Sequence, residues 1–321
     1  MRQRREIELM LECCRLYYEN GESQDEVARS LGLSRPKVSR LLQRAREEGI
    51  VQIRIVDPFS QQAELEAALT GAFPLRRAIV AAGSLAGEGL IRKRLGWAAA
   101  SYLESVVRDG QTIGLGWGRT LHAVVQSLAR SPREAITVVP LVGGLSRIPP
   151  SFQVNELARL MAEALGGTWL PLYTPAFIPG DSEGRALLNS PDIRLVTDRW
   201  AELDLAVVGI GHFGYQAELR MLFADYVDST AQQELEQAGA VGDICARFFD
   251  LSGRPVTRGA WPALVSIDLG QLRALDQVVA VAGGPAKVDA ILGALRGGYV
   301  DVLITDEPTA RLVLDRHREE R

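Results

Sequence analysis

The 321-residue chain contains few cysteines and few histidines, which argues against several classes of metal and redox protein. Its three cysteines are Cys13, Cys14 and Cys245; none forms a C-x-x-C pair, and their odd number does not suggest the disulfide framework of a secreted protein. The three histidines, at positions 122, 212 and 317, lack the spacing of metal ligands. We therefore expect reduced, structural thiols, no metal site and no cofactor.

Long apolar runs are also missing. No stretch of eighteen uninterrupted apolar residues occurs, and the opening MRQRREIELM contains no apolar segment of a signal peptide. A soluble cytoplasmic protein without membrane contact is the expectation. The length of the chain and its hydrophobic content of 47% predict two folded units with a substantial core.

The first fifty residues have the pattern of a helix-turn-helix. Apolar residues recur at helical spacing in EIELMLECCRLYYENG, which predicts an amphipathic helix that ends at the NG pair. Ser23 and Glu26 have capping-box spacing and begin a second helix, which breaks at Gly32. Ser34 as N-cap and Pro36 in the first turn begin a third helix. Two helices joined by a short turn that contains glycine make a helix-turn-helix.

Polar and basic side chains of the third helix indicate that it binds DNA. Residues 1–56 hold eleven Arg and Lys against nine Asp and Glu, a basic excess in a chain whose net charge is −4. The alternation in GIVQIRIVDP after this helix predicts a strand or short wing. An amphipathic surface helix with solvated arginines is the alternative, which the glycine turn, the two caps and the wing disfavour. The side chains predicted to contact phosphates or base edges of double-stranded DNA are Ser34, Arg35, Lys37, Ser39, Arg40, Gln43 and Arg44.

The pattern changes after this unit. Prolines at 58 and 74 bracket a short helical segment, and from residue 76 onward short apolar strands alternate with helical stretches. This alternation predicts an α/β domain with a largely parallel sheet. No internal repeat, low-complexity tract or coiled-coil heptad is evident in the sequence. We predict a winged helix-turn-helix domain over 1–57, a linker helix over 58–75 and a larger α/β domain over 76–321.

Four strands of the α/β domain end in glycine-rich segments, GLGWGRT (114–120), LVGG (141–144), VGIG (208–211) and AGGPAK (282–287). Ligands bind outside the carboxyl ends of parallel strands, where glycine permits positive φ and a helix N-terminus can face an anion. None of the segments matches G-x-G-x-x-G or G-x-x-x-x-G-K-[ST], so nucleotide hydrolysis is not indicated. Each segment alone could be a tight turn before a helix, whereas the four together favour an anionic ligand.

These segments together resemble a known protein family. The helix-turn-helix followed by GLGWGRTL, LVGG, NELARLMAEALGG, DLAVVGIG, GAVGDICARFFDLSG and AGGPAKVDAILGALRGGYVDVLITDEPTARLVL is similar to the SorC family of bacterial transcriptional regulators over essentially the whole chain. The resemblance implies a C-terminal domain like that of sugar-phosphate isomerases, which senses a phosphorylated sugar instead of converting it. It also implies a homodimer or homotetramer that binds operator DNA.

The resemblance further implies an effector site. The 116–120 loop and Lys287 are expected to hold the phosphate, while Gln153 and Asp243 match positions that contact the sugar in the family. Where one member has an arginine before the two glycines of LVGG, this chain has Val142, which favours a monophosphate over a bisphosphate. The effector-binding residues predicted from the glycine-rich segments and from the resemblance are Gly116, Trp117, Gly118, Arg119, Thr120, Gln153, Gly209, Gly211, Asp243, Gly283, Gly284 and Lys287.

Two other functions fit parts of the sequence. A sugar-phosphate isomerase or deaminase with an accessory helix-turn-helix would use Asp243 as a general base and Lys287 as the cation beside a developing oxyanion. A DNA-binding scaffold whose second domain only oligomerises would leave the glycine-rich segments unexplained. A sensor requires both a DNA-binding helix and a sugar pocket, whereas catalysis gains nothing from a DNA-binding helix. The pairing therefore favours a sensor over an enzyme. Trp117 could equally fill the core beneath its loop, and among the histidines only His212, which follows a strand end, is a candidate.

Overall fold

The computed structural model describes residues 2–51, 61–82, 87–146, 148–213, 229–256 and 263–319. The chain divides into two compact units, Met1–Pro58 and Phe59–Arg321. The first unit is helical, and the second is an α/β domain built on a parallel sheet, so the predicted fold class is confirmed.

The helices of the first unit follow the predicted helix-turn-helix. They are α1 (Arg2–Cys14, continued by a π-helical turn, Arg15–Glu19), α2 (Gln24–Leu31) and α3 (Arg35–Glu47). The Ser23 hydroxyl accepts a hydrogen bond from the Glu26 amide, and the Glu26 carboxylate accepts one from the Ser23 amide, so the capping box is present. Gly32 ends α2 in the left-handed conformation, with a φ of +63°.

The start of α3 differs in one detail from the sequence prediction. Ser34 occupies the N-cap position in extended backbone, but its hydroxyl makes no capping hydrogen bond. Its carbonyl oxygen accepts hydrogen bonds from the amides of Lys37 and Val38. The helices enclose a small apolar core, and its buried members are Met10, Cys13, Cys14, Val27, Ala28, Val38, Leu41, Leu42 and Ala45. From residue 52 onward the predicted wing lies outside the described residues.

A seven-stranded sheet forms the centre of the second unit. Its strands are β1 (Arg77–Ala81), β2 (Thr112–Leu115), β3 (Thr137–Pro140), β4 (Thr168–Trp169), β6 (Leu205–Gly209), β11 (Val278–Val281) and β12 (Val302–Asp306). They are all parallel and lie in the order β1-β12-β11-β6-β2-β3-β4. The prediction of a parallel sheet is therefore confirmed.

Helices cover both faces of this sheet, as parallel sheets require. One face carries α4 (Gln62–Ala72), α12 (Val288–Arg296) and α13 (Glu307–Glu319), and the other carries α5 (Glu88–Val106), α6 (Arg119–Ser127) and α7 (Val154–Leu165). Alternate residues of β11 point into the two cores: Val278 and Ala280 into one, Val279 and Val281 into the other.

The helix predicted as a linker packs on the sheet. Leu65 and Leu69 of α4 are buried in the core beside α12 and α13. The Glu66 carboxylate accepts a hydrogen bond of 2.9 Å from the Val80 amide of β1. α4 therefore contributes to the packing of the α/β unit.

Shorter elements complete the second unit. An antiparallel group contains β7 (Gly211–His212), β8 (Ala240–Ile244) and β9 (Arg247–Asp250), and β5 (Phe177–Ile178) pairs with β10 (Ala263–Leu264). The other helices described are α8 (Ser182–Leu188), α9 (Pro191–Thr197), α10 (Ser229–Gln237) and α11 (Leu269–Ala274). Within the described ranges, no helix combines the length and apolarity that a bilayer crossing needs.

Candidate functional site

The four glycine-rich segments meet along one edge of the sheet. The strands that precede them, β11, β6, β2 and β3, are consecutive neighbours and run parallel. Their carboxyl ends therefore lie side by side, where α/β sheets of this kind bind ligands. The candidate site is built from these ends and from the β7–β8–β9 group.

The segment after β2 leads directly into the N-terminus of α6. The Gly116 amide continues the sheet with a hydrogen bond of 2.9 Å to the Val207 carbonyl. Gly118 has a φ of +117°, a conformation that favours glycine, and α6 begins at the next residue, Arg119. The amides of residues 119–121 form the first turn of this helix, where backbone N–H groups lack intrahelical acceptors and favour an anion.

Lys287 joins the ends of β11 and β6. It closes a single 3₁₀ turn, Pro285–Lys287, and its Nζ donates a hydrogen bond of 2.7 Å to the carbonyl of Ile210. Burial lowers the pKa of Lys287 to about 8, against the opposing effect of the Asp243 carboxylate. The ammonium is therefore held beside a buried acid at the strand ends.

Asp243 is the buried acid of the site. Its residue is 3% exposed, and β8 places it opposite Gly211 of β7. Oδ2 accepts a hydrogen bond of 2.8 Å from the Ala246 amide, whereas Oδ1 has no hydrogen-bond partner among the described residues. Burial raises the pKa of Asp243 to about 6, opposed by the Ala246 amide and by the charge of Lys287. A buried oxygen of this kind needs a partner, which a ligand hydroxyl would supply.

A strained turn positions this carboxylate. Cys245 and Ala246 connect β8 to β9 with φ values of +51° and +65°, which are uncommon for residues with a side chain. The Ser266 hydroxyl donates a hydrogen bond of 2.6 Å to the Cys245 carbonyl, and the Arg247 guanidinium donates one of 2.7 Å to the Ser266 carbonyl. These bonds hold the turn in a conformation that its own residues disfavour.

Charged side chains of α5 act on Lys287 through their charges, and the sequence alone did not predict them as part of the site. Arg92 donates a hydrogen bond of 2.9 Å to the Glu88 carboxylate. The charges of Arg119 and Arg92 lower the pKa of Lys287, and that of Glu88 raises it. An i,i+4 pair such as Glu88 and Arg92 occurs on many exposed helices, so the sequence contained no signal of this proximity.

His212 also lies at the site. It is half-buried in β7, and burial together with the charge of Lys287 lowers its pKa. The ring of Trp117 packs partly buried against the core, in line with its structural interpretation. Contact of Trp117 with an effector stays a prediction.

Two further predicted effector-binding residues, Gln153 and Gly284, form hydrogen bonds with other residues of the protein. The Gln153 amide group donates to the carbonyls of Leu145 and Ile148 and accepts from the Leu145 amide, so it binds the segment that follows LVGG. The Gly284 amide donates to the Asp306 carboxylate and to the Thr309 hydroxyl. Ligand contacts of Gln153 and Gly284 stay predictions. Among the described residues, no group of three His, Cys, Asp or Glu could hold a metal ion.

The predicted DNA-binding side chains lie on α3 and are mostly exposed. Six of the seven predicted residues, from Ser34 at the N-cap to Gln43, are solvent-exposed, while Arg44 is half-buried. Arg44 forms ion pairs with Glu6 of α1 and Glu48, which reduces its freedom to contact DNA. Arg40 donates from Nε to the carbonyl of Pro36, one turn earlier on its own helix. Contact of these residues with DNA stays a prediction.

Comparison with family models agrees with the two units. Residues 57–315 match the family described as "Putative sugar-binding domain", and residues 15–52 match a winged helix-turn-helix DNA-binding family. The first match alone covers well over half of the chain.

Full-length relatives extend this similarity to both units together. The chain is 33% identical to the deoxyribonucleoside regulator of Bacillus subtilis over 314 residues, which are 97% of this chain and 99% of the relative. It is 32% identical to the sorbitol operon regulator of Klebsiella pneumoniae over 96% of this chain and 98% of the relative. The crystal structure of the full-length sorbitol operon regulator SorC of Klebsiella pneumoniae matches with a TM-score of 0.79 and 31% identity, over 96% of this chain and 98% of that one.

Proposed function

The chain belongs to the SorC family of sugar-binding transcriptional regulators, and we propose that a phosphorylated sugar at its strand ends controls its binding to operator DNA. In this proposal α3 supplies the DNA contacts. The first turn of α6 and Lys287 hold the phosphate, and Asp243 accepts a hydrogen bond from a sugar hydroxyl.

The buried Asp243 carboxylate beside Lys287 is the observation that carries the proposal. Burying a carboxylate oxygen without a hydrogen bond costs free energy, and Oδ1 has no such bond among the described residues. A sugar hydroxyl would donate the hydrogen bond that Oδ1 lacks. The strained Cys245–Ala246 turn, which holds the carboxylate in place, adds to the case because such strain clusters at functional sites.

Charge supports a phosphorylated ligand. Three cations influence one another electrostatically at this edge of the sheet: Lys287, Arg119 and Arg92. The Glu88 carboxylate opposes their effect. Mutual repulsion of three cations is relieved by an anion, and the amides of the α6 N-terminus add donors for phosphate oxygens. A neutral sugar would leave this repulsion in place.

The LVGG segment supports one phosphate group over two. Val142, which stands where one member of the family has an arginine, is fully buried and forms a β-bridge with Ser266. It therefore offers no cation to a second phosphate. A monophosphate is the proposed effector.

The DNA-binding unit would act as part of an assembly. We propose a homodimer or homotetramer whose α3 helices enter successive major grooves, so that the operator contains repeated half-sites. Ligand binding would shift the population between arrangements with different half-site spacing, by no more than its differential affinity for them.

One observation favours a second candidate, a sugar-phosphate isomerase. A carboxyl group with a pKa of about 6 beside an amine with a pKa of about 8 suits general acid–base chemistry. The relatives named above are transcriptional regulators, which supports the sensor over the isomerase.

Thermal unfolding tests the proposal and separates the two candidates. The chain is heated with ribose 5-phosphate, deoxyribose 5-phosphate, glucose 6-phosphate and fructose 6-phosphate, each paired with its unphosphorylated sugar, and every sugar is recovered and analysed. A concentration-dependent rise in the unfolding temperature with one phosphosugar, without conversion, supports the sensor. Conversion supports the isomerase, and the absence of any shift across the panel contradicts the proposed effector class.

A further inference from the structure

A buried carboxylate ties the end of β11 to the end of β12. Asp306, the last residue of β12, is 3% exposed. Its Oδ2 accepts hydrogen bonds from the Gly284 amide at 2.9 Å and from the Thr309 hydroxyl at 2.7 Å, and its Oδ1 accepts one from the Thr309 amide at 3.1 Å. The Thr309 hydroxyl in turn accepts from the Gly284 amide at 2.8 Å. The Gly284 amide is therefore held by two buried acceptors.

The contact with the Asp306 carboxylate accounts for the two consecutive glycines of the AGGPAK segment, Gly283 and Gly284. A Cβ on Gly283 would lie 2.1 Å from Asp306 Oδ2 and 2.8 Å from Leu95 Cδ1, and both of these side chains are buried. Gly284 has open space but a φ of +101°, which side chains rarely permit. The pair of glycines thus serves the contact with Asp306, independently of any ligand.

Lys287 is fixed at the other end of the same turn. Its amide donates to the Gly284 carbonyl at 3.0 Å, and its Nζ reaches the Ile210 carbonyl at 2.7 Å. Only one 3₁₀ turn separates the anchored amide of Gly284 from the ammonium. A displacement of Gly284 would consequently move Lys287 away from the end of β6.

We propose that Asp306 and Thr309 are positioning residues for phosphate recognition, which hold Gly284 so that the Lys287 ammonium stands at the end of β6. This inference rests on the proposed function. Neither residue contacts the ligand. Because the Gly284 amide is engaged by Asp306 and Thr309, phosphate recognition falls to Lys287 and the first turn of α6.

Two variants and two controls test the inference. Thr309→Val removes the hydroxyl at nearly constant volume, and Asp306→Asn replaces one acceptor oxygen with a donor that opposes the Gly284 amide. Thr309→Ser keeps the hydroxyl. Asp301→Asn is the matched control because Asp301 accepts a 2.8 Å hydrogen bond from the Val278 amide at the opposite end of β11. Affinities for the phosphosugars of the panel and for inorganic phosphate are measured by calorimetry.

A second measurement follows Lys287 without any ligand. The sequence has three lysines, Lys37, Lys93 and Lys287, so reductive methylation across a pH series resolves each one by mass spectrometry. In the wild type Lys287 should titrate near pH 8, because burial lowers its pKa to about 8. Release of the turn should raise the pKa of Lys287 toward that of an ordinary lysine. Lys37 and Lys93 serve as internal references for the extent of methylation.

The inference predicts at least tenfold weaker phosphosugar binding and a raised Lys287 titration in Thr309→Val and Asp306→Asn. Thr309→Ser and Asp301→Asn should stay within twofold of the wild type in affinity. Unchanged affinity, or weakened affinity with an unchanged Lys287 titration, overturns the inference, because the effect would then not pass through Lys287. If the wild type binds no phosphosugar, the proposed function fails, and the Lys287 titration alone decides the positioning role.

Discussion

The Nζ of Lys287 donates a hydrogen bond of 2.7 Å to the carbonyl oxygen of Ile210 and so connects the ends of β11 and β6. Ile210 lies between Gly209, the last residue of β6, and Gly211, which is paired with Asp243 across β7 and β8. Lys287, which follows β11, and the buried Asp243 of β8 are therefore both held next to residues 209–211. The proposed effector site depends on this relationship.

Replacing Lys287 with methionine should weaken phosphosugar binding. Hydrogen bonds to charged groups contribute about 1.5–3 kcal/mol, which corresponds to roughly 10- to 150-fold in affinity. Lys93→Met on α5 is the matched control, since Lys93 is exposed and lies outside the predicted effector-binding set. Titration calorimetry with the panel phosphosugar compares the two variants. Equal losses in both, or none in Lys287→Met, would remove Lys287 from the site.

Asp243→Asn should stabilise the free protein at neutral pH. Burial raises the pKa of Asp243 to about 6, above its value in the unfolded chain. The protonated form therefore favours folding: the stability that it contributes is present below about pH 4 and is lost as the pH rises through 6. Asparagine cannot ionise, so the variant should unfold at a higher temperature than the wild type at pH 7.5 and at a similar temperature at pH 4.

Asp250→Asn provides a control of opposite sign. Against the opposing effect of burial, hydrogen bonds from Ser252 and Arg254 lower the pKa of Asp250, so its charged form favours folding above the unfolded-state pKa. This variant should be destabilised at pH 7.5. A lower unfolding temperature for Asp243→Asn at pH 7.5 would show that the carboxylate stabilises the free protein and would contradict its role as an acceptor reserved for ligand. Sugar binding by Asp243→Asn should weaken at either pH.

Ser266→Ala should loosen the turn that carries Asp243. The Ser266 hydroxyl donates a 2.6 Å hydrogen bond to the Cys245 carbonyl, and both residues are buried. Leaving this carbonyl without its donor costs about 1–3 kcal/mol of unfolding free energy. Chemical denaturation measures the loss, and Ser101→Ala, at an exposed position of α5, should change stability by less than about 0.5 kcal/mol. A wild-type stability for Ser266→Ala would show that the turn does not depend on this bond.

Arg40→Ala should weaken DNA binding. Arg40 is exposed on α3, and Arg46→Ala on the same helix is a control of equal charge outside the predicted contact set. If Arg40 meets a phosphate, the dependence of log affinity on log salt should decrease by about 0.9. If it reads a guanine, discrimination between DNA sequences should decrease instead. Affinity, salt dependence and sequence preference that all match the wild type would exclude Arg40 from the interface.

Local signals in the sequence predicted more of this molecule than long-range ones. The capping box of Ser23 and Glu26 and the glycine-rich strand ends are readable because each depends on neighbours within a few positions. The strand order is not readable, because it is set by packing between strands far apart in the chain. For the same reason the sequence does not indicate the proximity of Arg92 and Lys287.

The AGGPAK segment shows this limit most clearly. Its glycines indicated backbone facing an anion, yet the Gly284 amide is bonded to Asp306, 22 residues later in the sequence. The unpaired Oδ1 of Asp243 was equally invisible, since it depends on a hairpin turn with two residues in the left-handed region. Composition gives no indication of such a turn, because neither Cys245 nor Ala246 is a typical residue for it.

The most direct test of phosphosugar-controlled DNA binding is reciprocal coupling between the two ligands. A duplex is selected by the full chain from a random DNA pool, and the affinity for the stabilising phosphosugar is measured with the duplex absent and at saturation. Thermodynamic linkage predicts that the two affinities differ by about 5- to 150-fold, with the same factor appearing in the affinity for DNA. Equal phosphosugar affinities in the presence and absence of the duplex would contradict the account.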